Sequence, residues 1–154
     1  MKAPVLTESA LQYAYEANHC LLTAQWEGAV PAAELPGQYA HLLEVARQHD
    51  NCRYWLLDVR GRQGQAAEAD TWFAHGFAAE LQSLGHPVFL AYVLDPSHYA
   101  LASSADVAAT KRACAKYDVY PYFFSNEADA RAWLLHQQHL DHVPSACHTP
   151  RRAR

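Results

Sequence analysis

The 154-residue sequence has no run of the ~18 apolar residues that a membrane span needs. Its first residues, MKAPVLTESALQYAYE, lack the uninterrupted apolar stretch of a signal peptide, so the expected address is cytoplasmic. Basic charge is also short. Twelve Lys and Arg against sixteen Asp and Glu give a formal charge of −4, and the only basic cluster is Arg151, Arg152 and Arg154. A nucleic-acid binder would carry a basic face, so that class is set aside. No internal repeat appears.

The four cysteines, Cys20, Cys52, Cys114 and Cys147, form no C-x-x-C pair. A zinc ribbon and a thioredoxin-type redox motif both lose their basis, and free thiols are expected. Ten histidines are many for this length. His139, His142, Cys147 and His148 could be drawn as a metal site, but prolines interrupt the segment and no carboxylates frame it. No metal and no cofactor is assigned. G-x-S-x-G and the phosphate-loop spacing are missing as well, and no cysteine stands in a context that marks an activated thiolate.

What is present is a core. Half the residues are hydrophobic, 51%, and 12% are aromatic, which places the chain among folded single domains. LQYAYE (Leu11 to Glu16) and CLLTAQWE (Cys20 to Glu27) flank a turn-like Ala17-Asn18-His19 and read as an antiparallel hairpin. A further short strand can be drawn at Val5–Thr7. Tyr39, Leu42, Leu43 and Ala46 share one helical face over Gln38 to His49, with Pro36 and Gly37 expected to interrupt any earlier start. YWLLDV (Tyr54 to Val59) suits a strand covered on both faces, followed by a polar loop over 61–68. Phe73, Phe77, Leu81 and Leu84 mark a helix from Ala69 to Leu84, stopped by Gly85 and Pro87. VFLAYVL (88–94) is a buried strand, 103–116 an Ala-rich helix capped by Ser103 or Ser104, and VYPYFF (119–124) a last strand. Pro121 points to an edge position or an irregular pairing there. Ser125 or Asn126 then caps a final helix with Ala130, Trp133 and Leu134 inward.

The fold class that follows is α/β: an N-terminal β-hairpin, then strand-helix alternation, in a mixed, mostly parallel sheet with packed helices. One domain is expected over 1–138, with a polar, disordered tail over 139–154.

Asp58 stands near the carboxyl end of a buried strand, where open α/β sheets place ligand sites. A phospho-acceptor Asp would need an acidic pair after the first strand and a Lys at a later strand end. Neither is found, so the expected role is to accept backbone N–H bonds or to pair with Arg60 or Arg62. Those two arginines flank Gly61 and are candidate anion contacts, with solvated loop arginines as the plain reading. Trp72, Phe73, Phe77, Tyr92, Tyr120, Tyr122 and Phe124 read as core, or as the wall of an apolar ligand pocket.

QWEG (Gln25 to Gly28), WLLDVRG (Trp55 to Gly61), FLAYVL (Phe89 to Leu94) and FFSNEADARAWL (Phe123 to Leu134) together resemble the STAS domain of sulfate transporters and anti-sigma factor antagonists. The resemblance spans roughly residues 5–136 and rests mostly on core patterns. It implies a non-enzymatic regulatory domain acting through a protein partner. In anti-sigma antagonists a Ser or Thr in a D-S-x-G setting is phosphorylated at the start of the helix after the Asp-ending strand. Asp70-Thr71 is the nearest equivalent here, making Thr71 the regulatory candidate. The following glycine is missing and Trp72 takes its neighbour's place. Asp58, Arg60, Arg62, Asp70 and Trp72 are the contact candidates, and self-association is open. The runner-up is a carrier of a small apolar ligand between helices and sheet.

Overall fold

The computed structural model describes residues 11–63, 72–96 and 105–141. Strands β1 (Leu11–Glu16) and β2 (Leu21–Ala29) form the expected hairpin. A 3₁₀ turn, Ala32–Glu34, leads into α1 (Leu35–Gln48), and β3 follows at Tyr54–Gln63. The second helix, α2, is built from three segments: a π-helical turn Phe73–Phe77, an α-helical turn Ala78–Leu81 and a 3₁₀ turn Gln82–Leu84. Then come β4 (Val88–Val93), α3 (Ala105–Ala115), β5 (Val119–Phe124) and α4 (Glu127–Leu140).

The sheet runs β1-β2-β3-β4-β5, with β1 antiparallel to β2 and every later pair parallel. Each parallel crossover moves one place in the same direction. Right-handed crossovers in such a series put their helices on one side of the sheet. Leu22, Ala24, Trp26, Trp55, Leu57, Leu90 and Tyr92 face that side and share one buried cluster with residues of α1 and α2. Among the described residues the helix after β5 has no further strand to join, and it covers the opposite face. There Leu21, Tyr54, Leu56, Ala91 and Val93 pack against Ala130 and Leu134. Pro121 lies in β5, an edge strand, where its missing N–H leaves no ladder bond unmade.

Several boundaries differ from those read in the sequence. Helix α1 starts at Leu35, before Pro36. Proline is tolerated in a first turn because its missing N–H would have had no intrahelical partner there. Asp50 and Asn51 end the helix as expected, both at left-handed φ (58° and 55°). Strand β3 continues to Gln63, through the start of the expected 61–68 loop, because β2 is long enough to pair with it as far as Ala29. The pairing steps from Gln25–Asp58 to Glu27–Gly61, so β3 carries one extra residue opposite Trp26. Gly61 is needed at this step: a Cβ would sit 2.9 Å from the Trp26 carbonyl oxygen.

The final helix runs past the expected boundary at residue 138. It reaches Leu140, with Asn126 as its cap accepting the Asp129 N–H at 2.8 Å. Asp141 Oδ2 accepts the Tyr54 hydroxyl at 2.6 Å and pairs with Arg53 at 2.8 Å. Gln138, buried, donates to the His19 carbonyl at 2.8 Å. These bonds tie the helix end to the sheet, which the polar composition after His139 had concealed.

The expectation of four free thiols also needs correcting. Cys52 and Cys114 are free and buried, whereas Cys20, in the hairpin turn, is disulfide-bonded. Its bonding partner, the Val5–Thr7 strand candidate, the Ser103 and Ser104 caps and most of the expected tail lie outside the described residues.

Candidate functional site

Backbone register sets out three rows across the face that carries α4. Gln12, Gln25, Asp58, Val93 and Phe124 stand in one row, Ala14, Thr23, Leu56, Ala91 and Tyr122 in the next, and Leu21 beside Glu16 opens the third. The first two rows are polar or small over β1 and β2 and mostly apolar over β4 and β5, whereas the third is apolar already at Leu21. Helix α4 packs on β3, β4 and β5. The polar half stays open as a groove of about 290 Å³, lined by Gln12, Ala14, Glu16, Thr23, Gln25, Leu56, Asp58, Glu127 and Arg131.

A chain of charges borders the groove. Asp58 Oδ1 accepts the Arg60 backbone N–H at 3.0 Å and its Nε–H at 2.9 Å, and Oδ2 accepts Nη2 at 2.7 Å. Arg60 Nη2 reaches Glu127 at 4.0 Å. Glu127 accepts from Arg131 at 2.9 Å, and Arg131 forks onto Glu16, donating to both carboxylate oxygens. The start of α4 is thereby pinned to the end of β1 and to the bulge in the middle of β3.

The electrostatics follow from this pairing. Burial is the largest single influence on Asp58 and pushes its carboxyl up. The hydrogen bonds and charge of Arg60 together outweigh burial, and the group ends below its ordinary value. Glu16 is lowered chiefly by the hydrogen bonds from Arg131. Both oxygens of Asp58 are occupied, and its proton affinity is reduced. A general base needs a free oxygen and a basicity matched to its task. Nor does Asp58 close the strand, which runs on to Gln63; it holds Arg60 from mid-strand and anchors the bulge.

The bulge also explains why the candidate arginines part company. In an even strand, residues 58, 60 and 62 would share a face. The extra residue shifts the phase, so Arg60 folds back on Asp58 while Arg62 turns to the three-helix side. There its guanidinium lies over the Trp26 ring at 5.2 Å, and the residue is 9% exposed. A solvated loop arginine was the plain expectation for Arg62; burial against Trp26 replaces it. Trp72 also belongs to that interior, with ring centroids 5.6 Å from both Tyr39 and Phe73. The structure thus brings together Asp58 and Arg60 on one face and places Arg62 and Trp72 on the other. Asp70 and Thr71 lie outside the described residues.

The aromatic interior is tightly interlocked. Tyr39 meets Phe77 at 5.2 Å between centroids, and the Tyr39 and Tyr92 hydroxyls are 2.6 Å apart. The π-helical turn, in which the Ala78 N–H reaches back to the Phe73 carbonyl, turns both phenylalanines of that segment inward. Burial pushes the Cys52 thiol up to about 11 and the Cys114 thiol up to about 12, so both stay protonated and unreactive at neutral pH. His75 is exposed on α2.

Sequence reasoning missed Arg131 and Glu16, the two ends of the α4 clamp. Glu127 and Arg131 are an i,i+4 pair and were open to view. Glu16 is 115 residues from Arg131, and only the fold brings the two together.

Comparison with known proteins adds no assignment: no family model, no curated protein and no solved structure matches this chain.

Proposed function

We propose that this chain is a regulatory protein-interaction domain that docks a partner on the polar half-face of its sheet. The observation that carries the reading is the incomplete cover of α4. It seals β3, β4 and β5 but leaves the Gln12–Gln25–Asp58 row open beside a fixed set of charges. Ion pairs held in one geometry at a surface set register and orientation for a partner more than they add affinity. The resemblance to STAS domains supports the same class, and it puts the working surface at the end of β3 and the segment after it. Asp58 and Arg60 form the border between that segment and the groove. The interlocked rings around Tyr39 and Tyr92 serve as core, so an interaction role is preferred to a carrier of apolar ligands in that interior.

The test is site-specific photo-crosslinking in the native host. A photoreactive residue at Gln25 is expected to give one discrete protein adduct that disappears when Arg131→Glu is added. The same residue at His75, on α2 across the sheet, is expected not to give that adduct. No adduct from Gln25, or the same adducts from both positions, would overturn the reading.

A further inference from the structure

The four cysteines are of two kinds. Cys52 and Cys114 are free and buried. Cys20 is disulfide-bonded, and the only cysteine left in the chain to bond it is Cys147. Burial pushes the Cys52 thiol up to about 11 and the Cys114 thiol up to about 12, so neither supplies a thiolate that would exchange with the bond at neutral pH. This matters most for Cys52, whose Sγ donates to the Cys20 carbonyl at 3.4 Å.

Cys20 sits in the hairpin turn, half-buried between exposed His19 and buried Leu21. The turn is held in place. The His19 N–H donates to the Glu16 carbonyl at 3.2 Å. Gln138 Nε2 donates to the His19 carbonyl at 2.8 Å and reaches the Cys20 carbonyl at 3.4 Å. The last turn of α4 therefore lies against the residue that carries the bond. Tyr54 and Arg53 hold the end of that helix at Asp141, and Cys147 is six residues further on. Six residues span up to about 20 Å, enough to reach back to the hairpin turn.

We propose that Cys20 and Cys147 form a reducible strap, which fastens the chain beyond α4 to the hairpin turn and so holds the last turn of α4 on the sheet. A bond between residues this far apart in sequence closes most of the chain into one loop, the case in which a cross-link restricts the unfolded chain most. A half-buried disulfide in a surface turn is open to attack by a thiolate, and a dithiol opens it in two steps. One thiolate of the reagent bonds to a sulfur of the pair and expels the other sulfur, which takes up a proton. The second thiolate then displaces the first cysteine, which also takes up a proton, and the reagent leaves as a cyclic disulfide. The end of α4 then keeps its Gln138 and Asp141 contacts but loses its covalent tie. The strap is thus a redox-sensitive hold on the helix end, whether or not a partner occupies the groove.

The full-length protein, purified without reductant and alkylated in denaturant, tests the pairing. Digestion and mass spectrometry are expected to give a Cys20 peptide joined to a Cys147 peptide, with Cys52 and Cys114 alkylated. Cys20 recovered alkylated, joined to Cys52 or Cys114, or joined to a second copy of the chain would overturn the proposal. Amide hydrogen exchange of the folded protein, with and without dithiothreitol, tests the hold. Dithiothreitol is expected to raise exchange roughly tenfold over residues 17–21 and 135–141 and to leave β4 unchanged, since local openings are set by local ties. Cys147→Ser is expected to show that raised exchange without reductant and no further response to it. Exchange that dithiothreitol does not change would overturn the proposal. So would a rise that spreads through β4, or a Cys147→Ser variant that responds to dithiothreitol as the parent does.

Discussion

The two faces of the sheet are built to different ends. One lies under three helices and is closed by interlocked rings and aliphatic side chains. The other lies under one helix, which packs over three strands, reaches β2 at Leu21 and leaves most of β1 and β2 open. The difference comes from topology. Three crossovers of one hand must stack on one side, and only the terminal helix is free to cover the other. Stability is therefore concentrated on the three-helix face, while the single-helix face has surface left for polar, exposed rows.

A direct way to break that contrast is to delete one large buried side chain from each side. Trp55 is fully buried on the three-helix face and donates its indole N–H to the Cys52 carbonyl at 2.9 Å. Trp55→Ala is expected to cost about 3–5 kcal/mol, read as a shift in denaturant midpoint at constant slope. Leu134 is fully buried beneath α4. Leu134→Ala is expected to cost about 2–3 kcal/mol, because a lone helix can settle partly into the space. Hydrogen exchange should rise mainly in α4. Equal losses, with exchange rising throughout the sheet in both variants, would mean that the two faces form one cooperative unit and that the contrast is only geometric.

Much of this architecture was legible beforehand. The hairpin, the order of strands and helices, the edge position of Pro121 and the inward set Phe73, Phe77, Leu81 and Leu84 all follow from period and punctuation. The α/β class followed from the same signals. The candidate site was less legible, for physical reasons. Asp58 and Arg60 are two residues apart, so their pairing could be read locally. Arg62 could not, because a one-residue bulge reverses its side of the sheet, and nothing in WLLDVRGRQG marks where the extra residue falls. The clamp of Arg131 on Glu16 joins opposite ends of the chain. The end of α4 at Leu140 was hidden because its anchors, Gln138 and Asp141, are polar and look like solvent-facing residues until Tyr54, Arg53 and His19 are placed beside them.

The clamp offers a second way to sharpen the comparison, since its effect should depend on pH and that of the core should not. Glu16 has a folded pKa below its unfolded one. Its contribution is complete above the ordinary carboxylate range and is lost as pH falls through the folded value. Arg131→Met keeps the apolar stem and removes the charge. It is expected to cost about 1 kcal/mol at neutral pH, given a pair that is partly screened by solvent. That cost should shrink toward zero in acid below the ordinary carboxylate range, near pH 4. Trp55→Ala should cost the same at both pH values. A loss for Arg131→Met that does not change with pH would show that the guanidinium acts through packing rather than charge.

The smallest effect is expected at Asp58, the residue of β3 that most resembled a chemical site in the sequence. Asp58→Asn keeps the shape and the Oδ1 acceptor for the Arg60 backbone N–H, and gives up only the charge. Arg60 is about two-fifths exposed, so solvent screens much of the lost attraction. A cost of about 0.5 kcal/mol is expected, with a slightly flatter acid limb of the stability curve because the lowered carboxyl no longer titrates. Crosslinking from Gln25 should persist, since Asn fills the same place in the groove lining and the Arg131 clamp is untouched. If Asp58→Asn abolished that adduct at unchanged stability, the charge of Asp58 would itself be read by the partner. Asp58 would then be part of the contact surface rather than the anchor that holds it.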